Sequence, residues 1–132
     1  MSLVTCGVDL VEIERIQLLN PKIKERFLAR VFTEAEISES SQAVQHLAGK
    51  FAAKEAASKA LGTGIGEIHW HDLEILNDPQ GRPHLVLHNT AQKTACEAGW
   101  NDWSVSITHT KTHAMAMVVA LREEKIDREA KS

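Results

Sequence analysis

Asp9, Glu55, Lys59 and His109 are the side chains whose types and placement could do chemistry together in this chain. Glu55 and Lys59 lie in Leu47-Ala-Gly-Lys-Phe-Ala-Ala-Lys-Glu-Ala-Ala-Ser-Lys-Ala-Leu61, where four residues of separation put a carboxylate and an ammonium one helical turn apart. Asp9 is the one charge inside the strand-like run Val4-Thr-Cys-Gly-Val-Asp-Leu-Val11, and a carboxylate there needs water, a cation or a donor. His109 falls in the polar turn Thr108-His-Thr-Lys-Thr-His113, placed to present His109 and Lys111 at a sheet end. Two carboxylates from different elements suit magnesium, which keeps several waters and completes its shell with phosphate oxygens. A lysine and a histidine could hold the same phosphates. On pattern alone, Glu55 and Lys59 read equally as an ordinary solvated ion pair worth about 0.3 to 0.5 kcal/mol.

The element that carries this pair is rich in alanine, the best helix former, and stops at Gly62, the residue type that ends helices in the left-handed conformation. Small side chains at Ala48 and Ala52, on the face of Glu55 and Lys59, allow another backbone or a ligand to approach closely. Gly62-Thr-Gly-Ile-Gly66 follows with free N–H groups, but no Gly-Lys-Ser/Thr makes it a Walker A loop, and it closes a helix where a dinucleotide fingerprint opens one. The pairs His69 with His71 and His109 with His113 lack the companions of a zinc site, and no nucleophile elbow surrounds Ser106.

The remaining segments must position these groups. Asn20-Pro21 predicts a capped helix start and Thr33-Glu-Ala-Glu36 a capping box, so two short helices are expected between residues 21 and 40, with the long helix from about Ser41 or Gln42 to Leu61. Asn77-Asp-Pro-Gln-Gly-Arg-Pro83 predicts the turn of a hairpin, with Asn89 or Thr90 capping a helix that ends near Gly99. Trp103 to Thr108 alternates as a strand, and Ala114 to Leu121 supplies another. The resulting expectation is an α+β fold, an antiparallel β-sheet packed with one long and several short helices, in a single domain over residues 1–121 followed by a charged tail over 122–132 that frays or extends as a short helix.

A chain of 132 residues with 43% hydrophobic and 25% charged residues fits one globular domain with a core of its own. No apolar run of membrane-spanning length and no signal peptide are present, so a cytoplasmic location is expected, and Cys6 and Cys96 are expected as buried reduced thiols. The net charge of −3 argues against wholesale nucleic-acid binding. Yet Arg15, Lys22, Lys24, Arg26 and Arg30 crowd one segment against a lone Glu25, a docking surface for an acidic partner or a solvated face.

Phe51-Ala-Ala-Lys-Glu-Ala-Ala-Ser-Lys-Ala-Leu-Gly-Thr-Gly64 resembles the signature of the phosphopantetheinyl transferases. Gly7-Val-Asp-Leu-Val-Glu-Ile-Glu-Arg15 and Ser104-Val-Ser-Ile-Thr-His-Thr110 resemble the N- and C-terminal strand motifs of the short, single-domain holo-[acyl-carrier-protein] synthase branch of that family, in order and spacing up to about Leu121. The resemblance implies transfer of 4′-phosphopantetheine from coenzyme A to a serine of apo acyl carrier protein in fatty acid biosynthesis, with release of adenosine 3′,5′-bisphosphate. It implies Asp9 and Glu55 as magnesium ligands, Lys59 as a phosphate contact and Lys50, Ser58, Gly62, Thr63, Gly64, His109 and Thr110 as residues of the coenzyme site. Glu55 or a metal-bound water is the preferred base for the serine proton. Arg15 matches the family's docking arginine for the acidic carrier, with Lys22, Lys24 and Arg26 beside it, and a homotrimer with active sites between subunits is implied. Lys50 stands where the family often has arginine, which exchanges a bidentate phosphate contact for a point charge. The competing expectations are a non-catalytic coenzyme A or carrier-binding module and a magnesium-dependent nucleotide hydrolase.

Overall fold

The computed structural model describes residues 2–41 and 43–124. The chain opens with strand β1 (Val4–Glu12), then helices α1 (Glu14–Gln17), α2 (Pro21–Val31), α3 (Glu34–Ser40) and α4 (Val44–Leu61). A single 3-10 turn (Trp70–Asp72) leads into the hairpin β2 (Leu73–Asn77) and β3 (Pro83–Leu87), and α5 (Asn89–Ala98), β4 (Asp102–His109) and β5 (His113–Leu121) complete the order. The fold is α+β with antiparallel pairing throughout its ladders, split into a three-stranded sheet of order β1-β5-β4 and the separate β2-β3 hairpin.

Twelve of the eighteen residues of α4 are buried, so this helix is the shared core of both layers and no solvated surface element. Ala52, Ala53, Ala56, Ala57 and Ala60 pack in one cluster with Val11, Ala114, Ala116 and Val118 of the sheet and Leu73 and Ile75 of the hairpin. Small residues on both sides bring helix and sheet together closely at Gly7, where an added Cβ would stand 1.9 Å from the carbonyl oxygen of Ala56. The Thr5 hydroxyl donates to the Ala60 carbonyl at 2.9 Å, so the last turns of α4 are bonded directly to β1. The occupant of the alanine surface is therefore the strand backbone. The outer face of the sheet, by contrast, exposes Val4, Val8, Leu10, Met115, Met117 and Leu121.

The local signals act as expected at two helix starts. Asn20 Oδ1 accepts from the Lys22 N–H at 3.0 Å ahead of Pro21, and Thr33 and Glu36 form a reciprocal capping box. Three expectations are corrected. Ser41 is the left-handed C-cap of α3, and α4 starts after Ala43, which gives no side-chain cap; Gln42 lies outside the described residues. Asn89 is the first residue of α5, behind an uncapped His88, and its side chain donates instead to Asp72 Oδ1 at 3.1 Å. Both cysteines are exposed, because Cys6 alternates out of β1 away from α4, and Cys96 lies off the face of α5 that buries Ala91 and Ala95. Of the charged tail, Arg122 packs against the domain, its guanidinium carbon 4.2 Å from the centre of the Trp100 ring, and residues 125–132 lie outside those described.

Candidate active site

Asp9 lies on the face of β1 that meets α4, two residues beyond Gly7, so the close approach at Gly7 delivers it to the helix. The Lys59 ammonium donates to Asp9 Oδ1 at 3.2 Å and to the Val8 carbonyl at 3.0 Å. With its side chain 54% exposed, Lys59 is held by β1 yet open to solvent. One turn earlier, half-buried Glu55 has its carboxyl held above the ordinary glutamate value, chiefly by burial and then by the Asp9 charge, while Lys59 pulls the other way. The three groups share one local field.

Asp9 and Glu55 also line one cavity of about 410 Å³, together with Arg15, Ile16, Leu19, Phe27 and Phe51. Arg15, on the short helix directly after β1, places a cation at the same cavity as the two carboxylates. Phe27 and Phe51 meet edge to face with centroids 5.3 Å apart and give the cavity an apolar wall.

The donor set fits a hard divalent cation of the magnesium type. Asp9 and Glu55 supply carboxylate oxygens from two elements, and the mutual repulsion that raises Glu55 is relieved by a cation between them. No group of three or more protein ligands exists among the described residues, so the remaining shell would fall to water and substrate oxygens.

A second cluster lies apart from the first. Lys50, His46 and His109 line a cavity of about 280 Å³ with Gln45, Asn77, Gly81, Pro83 and Ile107. The two imidazole rings face each other edge to face, centroids 6.4 Å apart. Lys50 is only 4% exposed and its ammonium is 2.6 Å from Glu39 Oε1, which also accepts from the Asn77 N–H at 2.9 Å. Its charge is therefore already paired. His46 was missed by sequence reasoning; nothing in a run of residues before an alanine-rich helix marks it as a neighbour of His109.

The other expected residues are distributed between these regions and the turns. Gly62 (φ 80°) is the C-cap of α4 and Gly64 (φ 69°) also takes the left-handed conformation, while the Thr63 hydroxyl is buried without a hydrogen-bond partner among the described residues. Ser58 is buried and its hydroxyl donates to the Glu55 carbonyl at 2.7 Å, so it faces the helix rather than an open surface. Thr110 organises the turn before β5, its hydroxyl accepting from the His113 N–H at 3.1 Å. On α2, Lys22 and Arg26 are exposed on one face four residues apart, with Arg30 continuing the row. Lys24 is half-buried and lines a different groove, with Leu28, Ile37, Val44 and Leu47, so the structure does not group it with the other cations.

The family model described as the 4'-phosphopantetheinyl transferase superfamily matches residues 5–118, which spans both clusters and the strands that carry them. The chain belongs to that superfamily. Among other members, a holo-[acyl-carrier-protein] synthase of Herpetosiphon aurantiacus is 45% identical over 122 residues, covering 87% of this chain and 96% of that protein. One from Koribacter versatilis is 42% identical over 117 residues, covering 86% and 94%. The same architecture occurs in the crystal structure of the Helicobacter pylori holo-[acyl-carrier-protein] synthase in complex with coenzyme A, with a TM-score of 0.79 at 34% identity over 87% of this chain and 98% of that one. The Neisseria meningitidis enzyme also superposes with a TM-score of 0.79, at 37% identity over 92% and 98%. On the scaffold of a phosphopantetheinyl transferase, the chain carries two clusters, one of two carboxylates with Arg15 and one of two histidines with Lys50.

Proposed function

We propose that this transferase moves 4′-phosphopantetheine from coenzyme A to a serine hydroxyl of apo acyl carrier protein, with Asp9, Glu55 and Lys59 at the reacting centre. The observation that carries the assignment of the site is the convergence of these three groups, with Arg15, beside one cavity in a chain of this superfamily. The serine oxygen forms a bond to the β-phosphorus of coenzyme A, the bond from that phosphorus to the bridging oxygen breaks, and adenosine 3′,5′-bisphosphate leaves with the electron pair.

Lys59, held by β1 yet open to solvent, supplies a cation to the phosphate oxygens as charge builds on the leaving group. Glu55, half-buried beside Asp9 and one turn from Lys59, takes the serine proton on a carboxylate oxygen. Asp9 and Glu55 would hold magnesium, which when bound supplies charge stabilisation to the pyrophosphate. Residues 62–64 provide a floor of exposed backbone for the pantetheine arm. The His46, Lys50 and His109 cavity receives the anionic end of the coenzyme; with Lys50 paired to Glu39, the two imidazoles carry more of that contact.

Arg15, Lys22 and Arg26 form the docking face for the acidic carrier, reinforced by Arg30 on the row of Lys22 and Arg26, with Lys24 offset from them. The apolar outer face of the three-stranded sheet, where six large apolar side chains are exposed together, supports self-association, and a homotrimer with sites between subunits belongs to the same reading. A cytoplasmic role in fatty acid biosynthesis belongs to the same reading; no helix among the described residues is long and apolar enough to cross a membrane.

The deciding experiment incubates the protein with coenzyme A, magnesium and apo acyl carrier protein and reads the carrier by mass spectrometry. A phosphopantetheine increment on the carrier is expected, and Glu55→Gln is expected to abolish metal-dependent turnover. Coenzyme binding without product under every divalent metal tried would make the chain a binding module and refute the transfer.

A further inference from the structure

Lys54 and Glu36 form an ion pair in which both side chains are 0% exposed, with the ammonium 2.8 Å from Glu36 Oε1. The Lys54 ammonium also donates to the Trp70 carbonyl at 2.9 Å and the Leu73 carbonyl at 2.8 Å, so its three donors meet three different segments. Glu36 is equally engaged: Oε1 accepts from the Thr33 N–H at 2.9 Å, and Oε2 accepts from the Ile75 N–H at 2.8 Å. Burying two charges is expensive, and a pair of this kind is poor evidence for stability in itself. Its geometry points to what it holds in place.

Lys54 precedes Glu55, and successive helical residues point about 100° apart. Fixing Lys54 into the core thus fixes the rotation of α4 that sends Glu55 toward Asp9. Two of the three ammonium bonds reach the far end of the segment 62–69, whose near end is the last turn of α4. Eight residues extended could span roughly 27 Å, whereas the rise along α4 from Lys54 to Leu61 is only about 10 Å. The segment therefore has slack. Inside it the described bonds are sparse: a 3.4 Å contact from the Gly66 N–H to the Ile68 carbonyl and an isolated bridge between Ile65 and Ile68. Gly62, Gly64 and Gly66 all have positive φ, which gives the backbone freedom that the loop itself does not restrain.

We propose that Lys54, held by Glu36, is a positioning residue for the coenzyme site, anchoring the return of the glycine loop to the same helix from which it departs and so setting where residues 62–64 lie relative to Glu55 and Lys59. This rests on the reading of residues 62–64 as the floor under the pantetheine arm. Lys54 touches no reacting atom; it acts through the loop and through the rotation of α4.

The test neutralises the pair with Lys54→Met/Glu36→Gln, which removes both charges and keeps one acceptor oxygen at position 36, enough for either the Thr33 or the Ile75 amide. At a temperature well below the unfolding midpoint, KM for coenzyme A is expected to rise about tenfold while KM for the carrier changes less than twofold. Val118→Ala, a cavity in the sheet core, serves as a control that loses stability away from the loop and is expected to leave KM for coenzyme A unchanged. An unchanged coenzyme KM in the folded double variant, or an equal rise in Val118→Ala, would overturn the proposal. If the double variant does not fold, amide hydrogen exchange on the unmodified protein decides: residues 70–75 are expected to be protected like α4 and residues 62–66 to exchange fast until coenzyme A is added. Exchange of 70–75 together with the loop would refute the anchor. Unmodified protein that neither binds coenzyme A nor modifies a carrier would sink the transferase reading, while exchange without coenzyme would still show whether the anchor exists.

Discussion

Replacing Gly7 by alanine tests how the site is assembled. The added Cβ would lie 1.9 Å from the Ala56 carbonyl oxygen, 2.9 Å from the Ala56 carbonyl carbon and 3.0 Å from the Ala60 nitrogen. Ordinary contact begins near 3.4 Å, so the strand and helix would have to separate by about 1.5 Å along that vector. The obstructing atoms are backbone, with no rotamer to move aside. Overpacking of this kind costs about 3 kcal/mol, the upper end of the usual range, and should lower the unfolding midpoint by on the order of 10 °C in a domain of this size. The same displacement falls between Asp9 and Lys59, whose 3.2 Å bond would stretch beyond hydrogen-bonding distance if the helix moved as a body. Urea unfolding gives the stability change, and carrier modification at saturating coenzyme A, well below the midpoint, gives the catalytic one. A loss below about 0.5 kcal/mol, or a large loss of stability with turnover intact in the folded protein, would refute the claim that close packing at Gly7 places the catalytic groups.

Glu55→Gln should raise the unfolding midpoint in metal-free protein at about pH 8 and lose that advantage at about pH 4. A carboxyl whose pKa is higher folded than unfolded destabilises the fold once ionised, and the cost disappears as pH falls through the folded value toward the ordinary one; thermal scans across pH would contradict this if the difference were flat. Magnesium should raise the midpoint of the unmodified protein and not that of Glu55→Gln, measured in the same scans. Arg15→Ala should raise KM for the carrier several-fold, more at low salt, and leave coenzyme affinity nearly unchanged; equal losses would argue against docking. Leu10→Asp with Met117→Asp should shift the protein to a smaller species in light scattering, and no change would exclude the outer sheet face as the assembly surface.

The caps of α2 and α3 and the hairpin turn were legible because their signals are local, whereas α4 and α5 start behind residues that give no side-chain cap. Asn20-Pro21 and the Thr33 to Glu36 box need only residues three positions apart, and the turn at Asp78, which accepts from the Gln80 and Arg82 N–H groups at 2.9 Å each, is written in its own residues. Asp9 was legible as a carboxylate in want of a partner, and the structure supplies Lys59. Lys54 was not, since a lysine in a charged helical run looks solvated until a second layer covers it; here the hairpin and α3 cover the side of α4 opposite the sheet. The alanine face suits another backbone or a ligand equally by its sequence, and only the packing of β1 at Gly7 shows which of the two fills it. Lys50 likewise appeared as a free cation, since Glu39 is eleven residues away and reaches it across the turn between α3 and α4. Tertiary register decides each of these cases, and one sequence does not contain it.

The pairing of Val4 with Leu121, with the Arg122 N–H on the Leu3 carbonyl at 3.0 Å and Arg122 Nε on the Ser2 carbonyl at 2.8 Å, brings the first and last described segments side by side. The backbone is thus close to a closed ring, tied at the end of the sheet that lies about 17 Å along β1 from Asp9. In such a ring the place where the chain is cut is a matter of connectivity more than of architecture: joining the two segments and reopening the exposed turn at Gln80 would keep every ladder and the helix between them. The placement of Asp9 against α4 belongs to the ring rather than to the end of the sheet at which it is tied.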